Sequence, residues 1–449
     1  MLLSGFVGAG EFRCVLHVLL QAARFRRHQA MTNTEPIAKR NGSPRLFLLI
    51  IVLLGLALRL TAAVMVPDQG VHLGDAINYR FVGKKFWQTG IIGSDLFMPL
   101  YPIMVASIGP GWGQLLIDTL LSTSLIWLVY ELSITLFADT AAALLAALGV
   151  ALYPQFIYFA VVGLTEPLFM ALFVAALLYW YRGFFVLAAV FAVLSILTRP
   201  AVDLLAPVMV LYFALIIHRL PIGAATKQFV VYAIIYCALM APWWIHNYRA
   251  YGVFVRLDLG AGENFYAGNN PMNKSGGGIA GIDFQREDYR FSEFTDPVAR
   301  DRAAWNAGLD YIRQEPVAFL QRAVVKFVRF WRLWPYAENY SSPAIIAVYI
   351  LSYAPVFLLT LVYLALWGLP EFVRIAPILG FAGYLTLVNV VFIASLRYRL
   401  PIEPFMIMFA ATAAIRLARR WPSGKSLLAR VGMDGANSER NVKKPAAGL

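Results

Sequence analysis

The chain has 449 residues, 60% of them hydrophobic and only 14% charged, against about 25% charged in an ordinary soluble domain. That excludes a soluble enzyme and a disordered chain, and two cysteines, Cys14 and Cys237, are too few for a disulfide scaffold. The net charge of +13 gathers at the ends, with seven Lys and Arg against two acids in residues 1–45 and eight against two in residues 415–449. This is the balance of a polytopic membrane protein with both termini in the cytoplasm, not of a nucleic-acid binder.

Residues 1–45 read as a cytoplasmic tail. Within it, the short apolar stretch Val15 to Ala23 runs into Arg24, Arg26 and Arg27 without a small-residue cleavage site, so it is a poor signal peptide. Met31 opens a more ordinary tail, and translation is expected to start there rather than at Met1. Runs long and apolar enough for spanning helices follow near 46–66, 112–136, 140–160, 164–181, 183–198, 201–217, 228–245, 344–368, 375–395 and 401–417. The short basic loops are Lys39, Arg40 and Arg45, then Arg182, His218 to Lys227, Arg374, and Arg416 with Arg419 and Arg420. They fall on one side if ten spans alternate, and that side is the cytoplasm.

The predicted fold is therefore an all-α bundle of about ten transmembrane helices, and two long segments face outward. Residues 67–111 form a first outer loop attached to a membrane core, 46–245. Residues 246–343 form a second outer segment, a small loop subdomain followed by the carboxyl-terminal helices of 344–418 and a basic tail, 419–449. Within the second segment Leu320, Val324, Phe327, Trp331 and Trp334 recur at helical spacing opposite Arg322, Lys326 and Arg329. That pattern predicts an amphipathic helix lying on the membrane, as a lipid portal or as a plain surface prop.

No phosphate-binding Gly-rich loop follows a strand pattern, histidines are scattered, and no Asp-x-Asp pair occurs. The charged residues at span ends carry the chemistry instead. On the outer side lie Asp75 with Tyr79, Glu166 in Thr165-Glu166-Pro167, Arg199 in Thr198-Arg199-Pro200, Arg249 after His246-Asn247-Tyr248, and Arg397-Tyr398-Arg399. Charges beside spans are costly and usually functional. Two carboxylates with several guanidiniums suit transfer from a phosphorylated donor, since a carboxylate takes the proton of an attacking hydroxyl and arginines hold the phosphate. A polyprenyl-phosphate sugar reaches such a site from the membrane. Each residue also has a plainer explanation: Asp75 as a helix cap, Glu166 as a first-turn acid beside Pro167, the arginines snorkelling to headgroups, and Trp243-Trp244 as an interfacial belt.

In this order, Gly74-Asp75 with Tyr79, Pro99-Leu100-Tyr101-Pro102, Leu164-Thr165-Glu166-Pro167-Leu168, Leu197-Thr198-Arg199-Pro200, Pro242 to Tyr248, Gly268-Asn269-Asn270-Pro271 and Arg397-Tyr398-Arg399-Leu400-Pro401 resemble the GT-C superfamily of membrane glycosyltransferases. The nearest branch is that of protein mannosyltransferases and lipid A aminoarabinose transferases. The resemblance implies a GT-C-type bundle with juxtamembrane helices on the outer face. It also implies Asp75 as catalytic carboxylate and Glu166 as second acid, and Lys84 and Lys85 as contacts to the lipid phosphate. Tyr79, Arg199, His246, Asn247, Arg249, Asn269, Asn270, Arg397, Tyr398 and Arg399 complete the binding set. Where relatives carry Arg-Asn this chain has His246-Asn247, with Arg249 as substitute charge. Some members use a divalent cation (Mg2+ or Mn2+) and others do not.

The function expected is transfer of a sugar from a polyprenyl-phosphate carrier to a hydroxyl acceptor in the cell envelope, at the outer face of the cytoplasmic membrane. The rival expectations are a lipid or lipid-linked-sugar flippase and a non-catalytic subunit that keeps the fold. A flippase calls for charges near the bilayer midplane and paired broken helices.

Overall fold

The computed structural model describes residues 43–65, 74–90, 92, 96–109, 111–277, 291–335 and 342–420. Residues 1–42, with the choice between Met1 and Met31, and the tail beyond Arg420 lie outside the described residues. No strand occurs among the described residues.

The first helix, α1 (Ser43–Met65), leads to α2 (Gly74–Thr89) and α3 (Leu100–Ile108), which fill the predicted first outer loop. Then come α4 (Trp112–Phe137), α5 (Thr140–Leu152), α6 (Pro154–Phe159), α7 (Glu166–Tyr181) and α8 (Phe185–Thr198). Next are α9 (Leu205–Tyr212), extended by a wider turn to Ile217, and α10 (Ile222–Tyr251). The second outer segment holds α11 (Ala261–Gly268), α12 (Pro297–Gln314) and α13 (Pro316–Trp331). The chain closes with α14 (Pro343–Tyr363), α15 (Phe372–Val391), the single turn α16 (Leu396–Arg399) and α17 (Glu403–Ala418).

Each of the ten predicted spans contains a helix, although the span 375–395 runs past the helix end at Val391. Among the described residues six are long and apolar enough to cross a membrane, and four, Thr140–Leu152, Glu166–Tyr181, Phe185–Thr198 and Leu205–Ile217, are shorter. At 1.5 Å per residue the short ones reach roughly 20–24 Å, less than a hydrocarbon core of about 30 Å. The predicted span 140–160 is two helices, broken at Tyr153 where Pro154 has no N–H to continue the ladder.

Burial sorts the bundle. The most hydropathic stretch of Leu396–Ala418 is 83% buried and that of α4 61%, whereas α10 and Pro343–Gly368 are 17% and 11% buried. Of the short helices, α7 is buried along nearly its whole length, whereas α8 and α9 still expose Val186, Leu187, Val208 and Ile216. In α5 the residues Ala141, Ala142, Ala143, Ala146 and Ala147 are all buried, and small side chains let these backbones approach closely. Helices α10 and α14 show their apolar side chains to lipid.

The predicted amphipathic helix is α13, and it is turned inside out relative to a soluble helix. Its apolar residues Val317, Leu320, Val324, Phe327 and Val328 are exposed, while Lys326 is fully buried. The polar face grips the protein, through Arg322 to the Asn270 and Pro271 carbonyls and Arg329 to the Ala394 and Ser275 carbonyls. The apolar face is left for the membrane.

Candidate active site

Glu166 opens α7 one residue before Pro167, where a carboxylate is favoured by the helix dipole. It is fully buried. The loop before it turns through Gly163, whose φ of 69° favours glycine and which packs against the Gln114 side chain of α4. Arg199 ends α8 in extended backbone and donates to Glu166 Oε1 at 2.6 Å. Its guanidinium lies 5.5 Å from the Tyr398 ring centre.

Arg397 comes from the turn α16, whose start is capped by Ser395. Its Nε donates to the same Glu166 Oε1, and its Nη1 donates to Asp75 Oδ2 at 2.5 Å. One guanidinium thus joins two acids from helices 91 positions apart in sequence, α2 and α7. The second Glu166 oxygen, Oε2, is buried with no hydrogen-bond partner among the described residues. Asp75 differs from Glu166 in access: its side chain is 45% exposed, that of Glu166 0%. In the first turn of α2, Asp75 spends Oδ2 on Arg397.

Tyr79, one turn along α2, packs against Phe97 and edge-on to Tyr101 at 5.1 Å between ring centres. Burial pushes its hydroxyl up to about 12, so it stays protonated beside the acid–arginine cluster. Beneath it, Tyr101 donates to Asp118 Oδ2 (2.7 Å), Gln114 donates to Tyr101 (3.0 Å), and Arg80 donates to Gln114 (2.6 Å). This ladder docks α2 onto α4.

A cavity of about 320 Å³ adjoins the cluster, lined among others by Asp75, Gln155, Tyr158, Arg329, Arg332, Tyr349, Arg397, Arg399 and Glu403. One wall is α14, one is α6, and one is the carboxyl end of α13.

The structure brings together Asp75, Tyr79, Glu166, Arg199, Arg397 and Tyr398 from the predicted set. It gives others different surroundings. Arg399 is fully buried, bonded to Glu403 at 2.9 Å and to the Phe330 and Arg332 carbonyls, with Tyr353 against its guanidinium. It touches the cavity but braces the end of α13, so a role as phosphate clamp would compete with these bonds. Lys84 and Lys85 are exposed on α2, nine and ten residues from Asp75 and so about 14–15 Å along the helix. Asn247 is buried and, with Trp243 and Trp244, donates to the strap Val255 to Leu257 that folds back over α10. His246 stacks on Trp243 and bonds the Ile92 backbone, and Arg249 is exposed. Asn269 and Asn270 are fully buried, and their side-chain amides bond backbone carbonyls.

Among the charged cavity residues the sequence reading passes over Arg332 and Glu403 and gives Arg329 only as part of the amphipathic helix. Arg59 and Asp118 are passed over too, although a charge inside an apolar run is itself a signal. Arg59 is fully buried and donates to Ser122 and to the Val150 and Ala151 carbonyls, closing the carboxyl end of α5 just before the break that forms the cavity wall.

A divalent cation does not fit this donor set. The two acids converge on Arg397, which holds the position between them, and no group of three or more His, Cys, Asp or Glu stands ready to hold a metal among the described residues.

No protein-family model matches the sequence, and no curated protein matches it either. Solved structures do. The apo oligosaccharyltransferase of Archaeoglobus fulgidus aligns over 90% of this chain and 53% of its own, at 14% identity and a TM-score of 0.51. The AglB oligosaccharyltransferase of the same organism, in complex with an inhibitory peptide and a dolichol-phosphate, aligns over 89% and 53% at 13% identity with a TM-score of 0.48. ArnT from Cupriavidus metallidurans, bound to undecaprenyl phosphate, aligns over 89% and 66% at 14% identity with a TM-score of 0.45. The chain spans about half the length of the oligosaccharyltransferases it matches, and at this identity the likeness is one of fold.

Proposed function

We propose that this chain, an all-α membrane protein of GT-C fold, is a glycosyltransferase that moves a sugar from a polyprenyl-phosphate carrier to a hydroxyl acceptor. One fold hosts many activities, so the site carries the reading. The observation that carries it is the Arg397 guanidinium held between Asp75 and Glu166 at the wall of an arginine-lined cavity. That cavity lies beside α13, whose apolar side chains are exposed, which supports entry of a lipid phosphate toward Arg329 and Arg332 from the membrane side.

In the step, the acceptor oxygen bonds to the anomeric carbon as the bond from that carbon to the phosphate oxygen breaks. The phosphate leaves with the electron pair, the acceptor proton passes to Asp75, and the configuration at the carbon inverts. Asp75 takes this role because it is open to the acceptor and keeps Oδ1 for it. Glu166, sealed behind two arginines, is a fixed anion that aims them. Arg397, with Arg332 on the cavity wall, stabilises the charge that grows on the phosphate. The reading uses no metal.

The basic loops at the other end of the bundle support a site on the outer face of the cytoplasmic membrane. Met272 is 47% exposed on the second outer segment. A cysteine there, with Cys14 and Cys237 replaced, should react with an impermeant thiol reagent in intact cells, and reaction only after lysis would reverse the orientation.

The deciding experiment compares lipid-linked sugars and surface glycans in a deletion strain complemented with wild type or Asp75→Asn. A polyprenyl-phosphate sugar should accumulate and one glycan should lose that sugar, with only wild type restoring it. Equal restoration by both would make Asp75 structural and overturn the assigned chemistry.

A further inference from the structure

We infer that Lys326, on the membrane-facing helix α13, positions Arg397 by capping the carboxyl end of α15 and thereby fixing the short arm, residues 392–396, that carries Arg397 to the acids. The relevance of that arm to catalysis rests on the glycosyltransferase reading. The joint itself does not.

The last carbonyls of a helix lack intrahelical partners and favour a cation. Helix α15 ends at Val391, and the chain then breaks sharply at Phe392 (φ −91°, ψ −110°). Lys326 Nζ donates to Val391 O at 3.2 Å and to Asn269 Oδ1 at 3.1 Å, while Asn269 Nδ2 donates to the same Val391 carbonyl at 2.8 Å. The ammonium is fully buried, and no carboxylate pairs with it among the described residues. A buried charge without a counter-ion is costly, and here only carbonyl oxygens receive it.

The surroundings are cut to fit. A Cβ at Gly276, whose φ is 69°, would lie 2.7 Å from Lys326 Cγ, and one at Gly268 would lie 1.8 Å from Phe392 O. The arm is then bonded on both sides: Ala394 N donates to Gly276 O at 2.9 Å, and Arg329 Nε donates to Ala394 O at 2.8 Å. Ser395 caps the turn that presents Arg397. From Lys326 to the two acids every link is a contact of this chain, and the helix that starts the series rests its other face on lipid.

Burial and the neighbouring Arg322 guanidinium pull the Lys326 ammonium down to about 7. The charged groups about it are Arg322 and Arg329 on its own helix. The loop 268–277 brings the neutral Asn269, its Lys274 being exposed, and α12 sends Tyr311 to Arg322 instead. The charged residue of α16, past the arm, is Arg397. The cap is therefore charged below about pH 7 and neutral above it, so the joint is tight on the acid side and loosens as pH rises.

Hydrogen–deuterium exchange of the full chain in nanodiscs tests this without any substrate. Between pH 6 and 8.5, after correction for intrinsic exchange chemistry, protection of amides 392–398 should fall about tenfold in wild type. In Lys326→Arg it should stay constant, because arginine keeps its charge. Lys326→Met should expose the same amides at every pH, with α4 unchanged as the control for folding. A wild-type arm whose protection does not move with pH, or moves equally in Lys326→Arg, overturns the proposal. Absence of sugar transfer in wild type would instead count against the enzyme reading and leave the joint standing. Loss of transfer in Lys326→Met with an unmoved arm would count against the joint alone.

Discussion

Both ends of the bundle are rich in arginine, yet they use it differently. At the end opposite the cavity, arginines close on helix ends and on single acids. Asp139 caps α5 at the Ala141 and Ala142 amides and also takes Arg419. Arg374 donates to the Leu136 carbonyl at the end of α4, Arg416 pairs with Glu371 at 2.8 Å, and Arg182 pairs with Glu131. These are staples at the base of a membrane bundle, where positive charge belongs. At the cavity end one oxygen of Glu166 receives two guanidiniums, and one guanidinium spans two acids. Sharing by itself is not peculiar to the cavity end, since Glu371 Oε1 also lies within ion-pair distance of both Arg374 and Arg416; the cavity-end cluster differs in being sealed on one side and open on the other. Number of arginines does not separate the two ends; the full burial of Glu166 and the adjoining cavity do.

Substitutions break the comparison most sharply at Arg397. Arg397→Ala should lower the initial rate of sugar transfer by roughly 10³-fold, as loss of a charge-stabilising donor does, because it also releases Asp75 from Glu166. The same change at Arg416, among the staples, should leave that rate within about twofold. Equal losses at the two positions would mean that both ends are structural. Next in size, Glu166→Gln should cost about 10²-fold in rate while Asp75 remains able to take its proton. Measured rates that respond to Glu166→Gln more than to Asp75→Asn would exchange the roles assigned to the two acids.

Much of this contrast is legible in the sequence. The ten apolar runs stand out because a bilayer demands them, and Asp75, Glu166, Arg199 and Arg397 stand out because charges at span ends are expensive. Helix lengths are less legible: nothing in the composition of 166–181 says that protein rather than lipid surrounds it. Direction is the larger loss. Lys84, Lys85 and Asn247 neighbour the right motifs but point elsewhere, to solvent or to the strap over α10. The periodicity of α13 identifies two faces without saying which one meets the protein. Lys326 and Arg329, expected on the polar face of a membrane-surface helix, are the buried joint and the cavity wall. Their partners are the carbonyls of Val391, Ala394 and Ser275, and a backbone carbonyl leaves no letter in the sequence.

The smallest expected effect sharpens the comparison from the other side. Asp139→Ala removes an N-cap from α5 together with the bidentate partner of Arg419, in a region remote in sequence from the acids of the site. Caps contribute about 1 kcal/mol and partly exposed ion pairs less, so the purified protein should lose a few degrees of thermal stability in a detergent melting series. Transfer should be unchanged within about twofold. Helix α5 nonetheless ends where Arg59 holds the Val150 and Ala151 carbonyls, immediately before the break that leads to the cavity residues Gln155 and Tyr158. A staple at the amino end of α5 therefore has a mechanical route to the site along one helix. If Asp139→Ala reduces transfer in proportion to its loss of stability, the two ends are one cooperative unit. If stability falls and transfer holds, α5 ends its influence at Arg59, and the staples and the shared cluster are separable devices.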